Sequence, residues 1–114
     1  MTDKVVLFSA CANMAEAEKL ANRLVEIRLA ACVNAVPGIR SFYRWNGKVE
    51  NDPEVLLVIK TARERVDEIR AEIEKLHTYE LPELIALPIV DGAPNYLTWL
   101  DSELTPPAGP EPVK

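Results

Sequence analysis

One histidine and two cysteines carry the metal-binding chemistry available to this chain. His77 heads the stretch His77-Thr78-Tyr79-Glu80-Leu81-Pro82-Glu83, so an imidazole is followed closely by two carboxylates. A single His does not hold a transition metal alone, because such sites need several N, S or O donors. Glu80, Glu83 or symmetry-related copies of His77 can supply the remainder. Cys11 adds a soft sulfur of the kind that favours Cu(I). The chemistry of His77, Cys11 and Glu83 taken together is capture of copper or another divalent metal, with no cofactor required. Each has a structural alternative: His77 facing the last carbonyls of a helix, and Cys11, like Cys32, filling a small place in the core.

A second group is Tyr43, Trp45, Lys60 and Tyr79, with Glu83 beside them. Aromatic walls with few charges are the make-up of a ligand pocket, and the same residues suit an interface between subunits. The chain has no Gly-rich phosphate loop, nucleophile elbow or H-E-x-x-H helix, so catalysis is not expected.

The 114 residues are enough for one domain with one core. A net charge of −5 and a pI near 4.9 argue against a nucleic-acid surface. No apolar run reaches the ~18 residues of a membrane span. Lys4 followed by VVLFSACA imitates a short signal peptide, but an acidic amphipathic segment follows it directly. We expect a cytoplasmic protein with reduced thiols.

The stretch from Ala30 to Lys60 positions most of these groups. Two apolar runs face each other across Asn46-Gly47, the favoured pair for a two-residue type I′ turn. Pro37-Gly38 interrupts the first arm and predicts a bulge or edge position. Asn51-Asp52-Pro53 interrupts the second. The result is one long, bent hairpin whose projecting tip carries Phe42, Tyr43 and Trp45.

Around it, Val5 to Ala10 reads as a strand. A helix follows, with Asn13 and Glu16 as its capping box and Ala17, Leu20, Ala21, Leu24 and Ile27 as its buried stripe; Arg28 suits its negative end. Thr61 and Glu64 form a second capping box, before a helix carrying Val66, Ile69, Ile73 and Leu76. Leu84 to Val90 is a last strand, marked as an edge by Pro88, and Pro94 opens a short helix with Leu97, Leu100 and Leu104. Residues 1–104 make one domain; residues 105–114, with four prolines, make a flexible tail.

The order β-α-β-β-α-β plus a short helix is an α+β, ferredoxin-like split βαβ arrangement, with the first and third strands central. Its right-handed crossovers put both long helices on one face. Alternate residues of the central strands fall into two sets: Val5, Leu7, Leu57 and Ile59, and Val6, Phe8, Leu56 and Val58. Neither set is polar, so the face without helices is apolar too. Monomers rarely expose such a patch. Burying several hundred Å² of it is worth roughly 10 kcal/mol at ~25 cal/mol per Å² before association is counted. An obligate oligomer follows, unless the short last helix covers the open face.

Several motifs at matching separations then point to a family: Ala30-Ala31-Cys32-Val33-Asn34, Val36-Pro37-Gly38-Ile39, Tyr43-Arg44-Trp45-Asn46-Gly47-Lys48, Leu57-Val58-Ile59-Lys60-Thr61, the His77–Glu83 stretch and Tyr96-Leu97-Thr98-Trp99-Leu100. From about Val5 to Leu104 the chain resembles the CutA divalent-cation tolerance proteins. The resemblance implies a ferredoxin-like subunit in a stable homotrimer, shaped like PII signalling proteins, and a link to tolerance of copper and other divalent metals. The family's proposed copper contacts are a Cys late in the first strand and one or two His before the connector. Here Ser9 stands at that Cys position, Cys11 lies two residues on, and His77 is preceded by Leu76. The expected function is metal binding or sensing without catalysis; the alternative is a PII-like module taking a small anion or partner protein in clefts between subunits.

Overall fold

Four strands and three helices make up the computed structural model, which describes residues 2–104. The tail expected at 105–114 lies outside the described residues. In chain order the elements are β1 (Lys4–Cys11), α1 (Met14–Glu26), β2 (Cys32–Trp45), β3 (Lys48–Ala62), α2 (Val66–Leu76), β4 (Ile85–Pro88) and α3 (Pro94–Glu103). The sheet runs β2-β3-β1-β4, antiparallel throughout, so β1 and β3 are central as expected. Among the described residues no helix is long and apolar enough to cross a membrane.

The two sets of alternating residues separate by burial. Val5, Leu7, Leu57 and Ile59 are buried with Ala17, Leu20 and Leu24 of α1 and Ile69 and Ile73 of α2. Val6, Phe8, Leu56 and Val58 on the other face are only half-buried, and Val36, Ile85 and Leu87, which share that face by register, are exposed. The last helix reaches one end of this face. There Leu100 and Leu104 are buried with Ala31 and Ala62, and Asp101 accepts from the buried Lys4 ammonium at 2.9 Å. The rest of the apolar face is covered by none of the other described elements of the single chain.

The hairpin forms as its turn chemistry requires. Asn46 and Gly47 both hold positive φ, 51° and 77°, the signature of the type I′ turn. Register shifts between Val36 and Ile39, and Gly38 sits there at φ 79°. This bulge has a directional effect. Val36 faces Leu56 and Ile39 faces Glu54, so one extra residue on β2 reverses its inside–outside alternation. Ser41, Tyr43 and Trp45 thereby share a face with Asp52, Glu54 and Leu56. The second arm is not interrupted: β3 runs through Asn51-Asp52-Pro53. Beyond Val55 no residue of β1 pairs with it, and a strand with a neighbour on one side only tolerates a proline. The hairpin draws the molecule out to 55 Å against 29 and 23 Å in the other directions.

Local expectations at four helix and strand ends are corrected by long-range contacts. Asn13 Oδ1 caps α1 by accepting from Glu16 N–H at 2.9 Å, but the Glu16 carboxylate turns away to Thr78 instead of closing the box. Thr61 does not cap α2; its buried hydroxyl donates to the Leu29 carbonyl at 2.6 Å, and a 3₁₀ turn at Arg63–Arg65 leads into the helix. Arg28 leaves α1 at φ 62°, and its guanidinium donates to the Ser102 and Glu103 carbonyls at 2.9 Å each, so it serves the end of α3. The last strand is shorter than Leu84–Val90, pairing with β1 only over Val5 to Phe8.

Candidate metal centre and the adjoining cleft

Three side chains from distant parts of the chain meet where β1 ends. Cys11 closes β1, facing inward opposite Val55 and fully buried. Glu16 stands in the first turn of α1, and His77 is the residue at which α2 stops. One ligand atom from each lies within 4.8 Å of the others, the only such grouping of His, Cys, Asp and Glu among the described residues.

Hydrogen bonds define the state of His77. Its side chain is completely buried. The Tyr79 N–H donates to Nδ1 at 3.1 Å, so Nδ1 is the acceptor and Nε2–H donates to the Ala10 carbonyl at 2.7 Å. Nδ1 lies 3.4 Å from Glu16 Oε1, which itself accepts from the Thr78 N–H at 3.2 Å and hydroxyl at 2.9 Å. Burial, and then the charges of Glu16 and Glu54, push the Cys11 thiol up to about 11.

A thiol, an imidazole and a carboxylate are the mixed-softness donors that suit copper or zinc. The residues present fit such an ion on two conditions. Cys11 must give up its proton, and His77 Nδ1 must exchange the Tyr79 N–H for the metal.

Glu83 is not part of this group. Its backbone carbonyl accepts from the buried Ser9 hydroxyl at 2.7 Å, and the residue lines a neighbouring cleft. Glu16 is the carboxylate beside His77 and Cys11. Ser9, two residues back on the same inward face as Cys11, is taken up by that bond.

The cleft, open to one side and about 870 Å³ in volume, lies between the hairpin (41–45 and 52–54) and the connector 79–83, with Ala10 and Ala12 also lining it. Tyr43, Trp45 and Tyr79 line it; Lys60 does not. Lys60 Nζ instead donates to Asn34 Oδ1 and lies 3.9 Å from Cys32 Sγ, on the apolar sheet face. Tyr79 joins the cleft to the metal-type cluster: its ring lies 4.6 Å from that of His77, and its hydroxyl donates to Glu54 Oε2 at 2.6 Å. On the hairpin the Tyr43 hydroxyl donates to Asp52 Oδ2. Both phenols are held above their usual range, Tyr43 chiefly by its bond to Asp52 and Tyr79 chiefly by burial and then by Glu54.

Residues 5–103 match the model of the CutA1 divalent ion tolerance protein family. The chain belongs to that family. It is 49% identical over 84 residues to the divalent-cation tolerance protein CutA of Thermus thermophilus, covering 74% of this chain and 82% of that one. It is 46% identical over 96 residues to the chloroplastic CutA of Arabidopsis thaliana, covering 84% of this chain but 53% of the relative, so it spans about half that protein's length. The crystal structure of CutA from Xylella fastidiosa superposes with a TM-score of 0.89 at 42% identity, over 91% of this chain and 100% of that one. The Archaeoglobus fulgidus structure is described as a periplasmic divalent cation tolerance protein CutA, with a TM-score of 0.85 at 38% identity, over 88% of this chain and 97% of that one.

In this CutA1 family member His77 and Cys11 are legible from the sequence as donors; Glu16 is not, because its place in a capping motif gives it a local role. Glu54 and Asp52 are not legible either, since they flank Pro53 in what reads as a break. Their alternation with Leu56 and Val58 was the one available signal that they continue the strand.

Proposed function

We propose that this chain is a divalent-cation tolerance protein that binds copper or a related metal, without catalysis, at Cys11, Glu16 and His77. We further propose that it acts in the cytoplasm as a homotrimer of ferredoxin-like subunits. The observation that carries the metal reading is the convergence of the three ligand atoms within 4.8 Å around a fully buried imidazole. Family membership adds the divalent-cation context. When bound, the metal would take the place of the Cys11 proton and offset the charge of the resulting thiolate beside the Glu16 carboxylate in a low-dielectric site. His77 is already oriented for this by its Nε2–H bond to the Ala10 carbonyl. The assembly reading rests on the half-buried Val6, Phe8, Leu56 and Val58, which no other described element of one chain covers. A small-anion ligand is less well supported, since four acidic residues, Asp52, Glu54, Glu80 and Glu83, and one basic residue, Arg44, line the cleft.

Calorimetric titration with Cu(I), Cu(II) and Zn(II) tests the metal reading. Wild type binds at least one of the three; His77→Ala and Cys11→Ala lose about tenfold or more in affinity, and Glu83→Gln leaves it unchanged. Absence of binding with all three metals, or equal binding by wild type and both cluster variants, contradicts it.

A further inference from the structure

We infer that metal uptake turns the Tyr79 main chain away from His77 and loosens the hold of its side chain on the hairpin, so that the connector reports an occupied metal centre to β3. This rests on the metal reading above and concerns how that site is read out. His77 Nδ1 has one lone pair, and the Tyr79 N–H occupies it at 3.1 Å. The other ring nitrogen is engaged too, since Nε2–H donates to the Ala10 carbonyl at 2.7 Å. A metal-binding imidazole ordinarily keeps such a bond to a carbonyl and gives its other nitrogen to the ion. An ion and the Tyr79 N–H therefore exclude each other at Nδ1.

Glu16 is under no such restriction. A carboxylate accepts several bonds at once, so the Thr78 N–H at 3.2 Å and hydroxyl at 2.9 Å can stay on Oε1 while an ion binds. Thr78 is thus the fixed point and Tyr79 the residue that turns. Residues 78–84 belong to no helix or strand, so no ladder of backbone bonds resists rotation of the Thr78–Tyr79 peptide. Thr78 is exposed and Tyr79 half-buried, which lets the freed N–H reach water. Tyr79 is also pinned at its far end. Its hydroxyl donates to Glu54 Oε2 at 2.6 Å, and its ring lies 4.6 Å from the imidazole. Glu54 faces Ile39 at the β2–β3 bulge, the root of the projecting hairpin. Two bonds of one residue therefore join an ion at His77 to the hairpin. Linkage makes the coupling reciprocal: if the ion weakens the Tyr79–Glu54 bond, loss of that bond strengthens ion binding.

Amide hydrogen exchange at single-residue resolution tests the turn, on the full chain in its native assembly, with and without Cu(I), Cu(II) and Zn(II) in turn. A bound ion that only stiffened the site would slow exchange throughout. The inference predicts the reverse at one position: on loading, the Tyr79 amide exchanges about tenfold faster or more, while the Thr78 amide, still bonded to Glu16, does not accelerate. Calorimetry on Tyr79→Phe reads the coupling. Without the hydroxyl that the ion must otherwise loosen, metal binding should tighten by roughly threefold to tenfold, opposite in direction to the loss in His77→Ala. A Tyr79 amide that keeps its protection in the loaded wild-type protein overturns the inference and leaves the metal reading in place; that measurement needs no variant. Metal binding in Tyr79→Phe equal to or weaker than wild type does the same. Binding of none of the three metals overturns both.

Discussion

Two forces hold the proton on the Cys11 thiol, burial and then the negative charges of Glu16 and Glu54, and push it up to about 11 from 9.0. A metal must displace that proton, so copper or zinc affinity should rise with pH, by up to about tenfold per unit for the one proton released. Calorimetry in buffers of different ionisation enthalpy reads that proton directly, and Cys11→Ala should remove it. The metal-free protein carries the opposite dependence. A thiol raised in the folded state contributes stability fully below the unfolded value of 9.0, and this is lost as pH climbs towards 11. Urea unfolding of metal-free wild type and Cys11→Ala should therefore show a difference that is constant below pH 9 and moves against wild type above it. Tyr79 offers a second check. Tyr79→Phe leaves the half-buried Glu54 carboxylate without its 2.6 Å donor and should destabilise the fold by about 1–3 kcal/mol. His77 and Cys11 were legible as donors from residue type alone. Glu16 was not, because its bond to Thr78 spans 62 residues while its sequence neighbourhood carries a complete helix-start signal.

Among the elements, the hairpin does most to position the cleft, and its bulge is the sensitive point. Gly38 stands at φ 79° with open space around its Cα, so Gly38→Ala meets no neighbour and is penalised by backbone strain alone. The expected loss is about 1–2 kcal/mol in urea unfolding, with the strands still paired. Deleting Gly38 removes the extra residue and restores simple alternation. Tyr43 and Trp45 then move to the opposite face from Asp52 and Glu54, and Trp45 emission should shift to the red in a Trp99→Phe background. The turn and the bulge were both readable, because Asn46-Gly47 and Pro37-Gly38 each supply the backbone conformation they adopt. The start of α2 was misread for a physical reason: the Thr61 hydroxyl is fully buried and bonds to Leu29, a partner that only the folded chain brings near.

For the whole molecule, the decisive feature is a sheet with helices α1 and α2 on one side and only the end of α3 on the other. Val6, Phe8, Leu56 and Val58 belong to strands that read as apolar throughout, and the face they form was legible before any coordinates. What the sequence pattern did not reveal is how far α3 reaches, since that depends on the Lys4–Asp101 pair and on Arg28 holding the last carbonyls of α3. A charge in the middle of the uncovered face should separate the subunits: Val58→Asp is expected to lower the assembly to single chains at micromolar concentration while keeping the helical signal in circular dichroism. Native mass spectrometry of the wild-type protein with excess copper tests the account most directly, because it reads subunit number and bound metal together. The account predicts an ion of three 12.7 kDa chains carrying copper. A single-chain ion, or an assembly that stays free of metal, would contradict it.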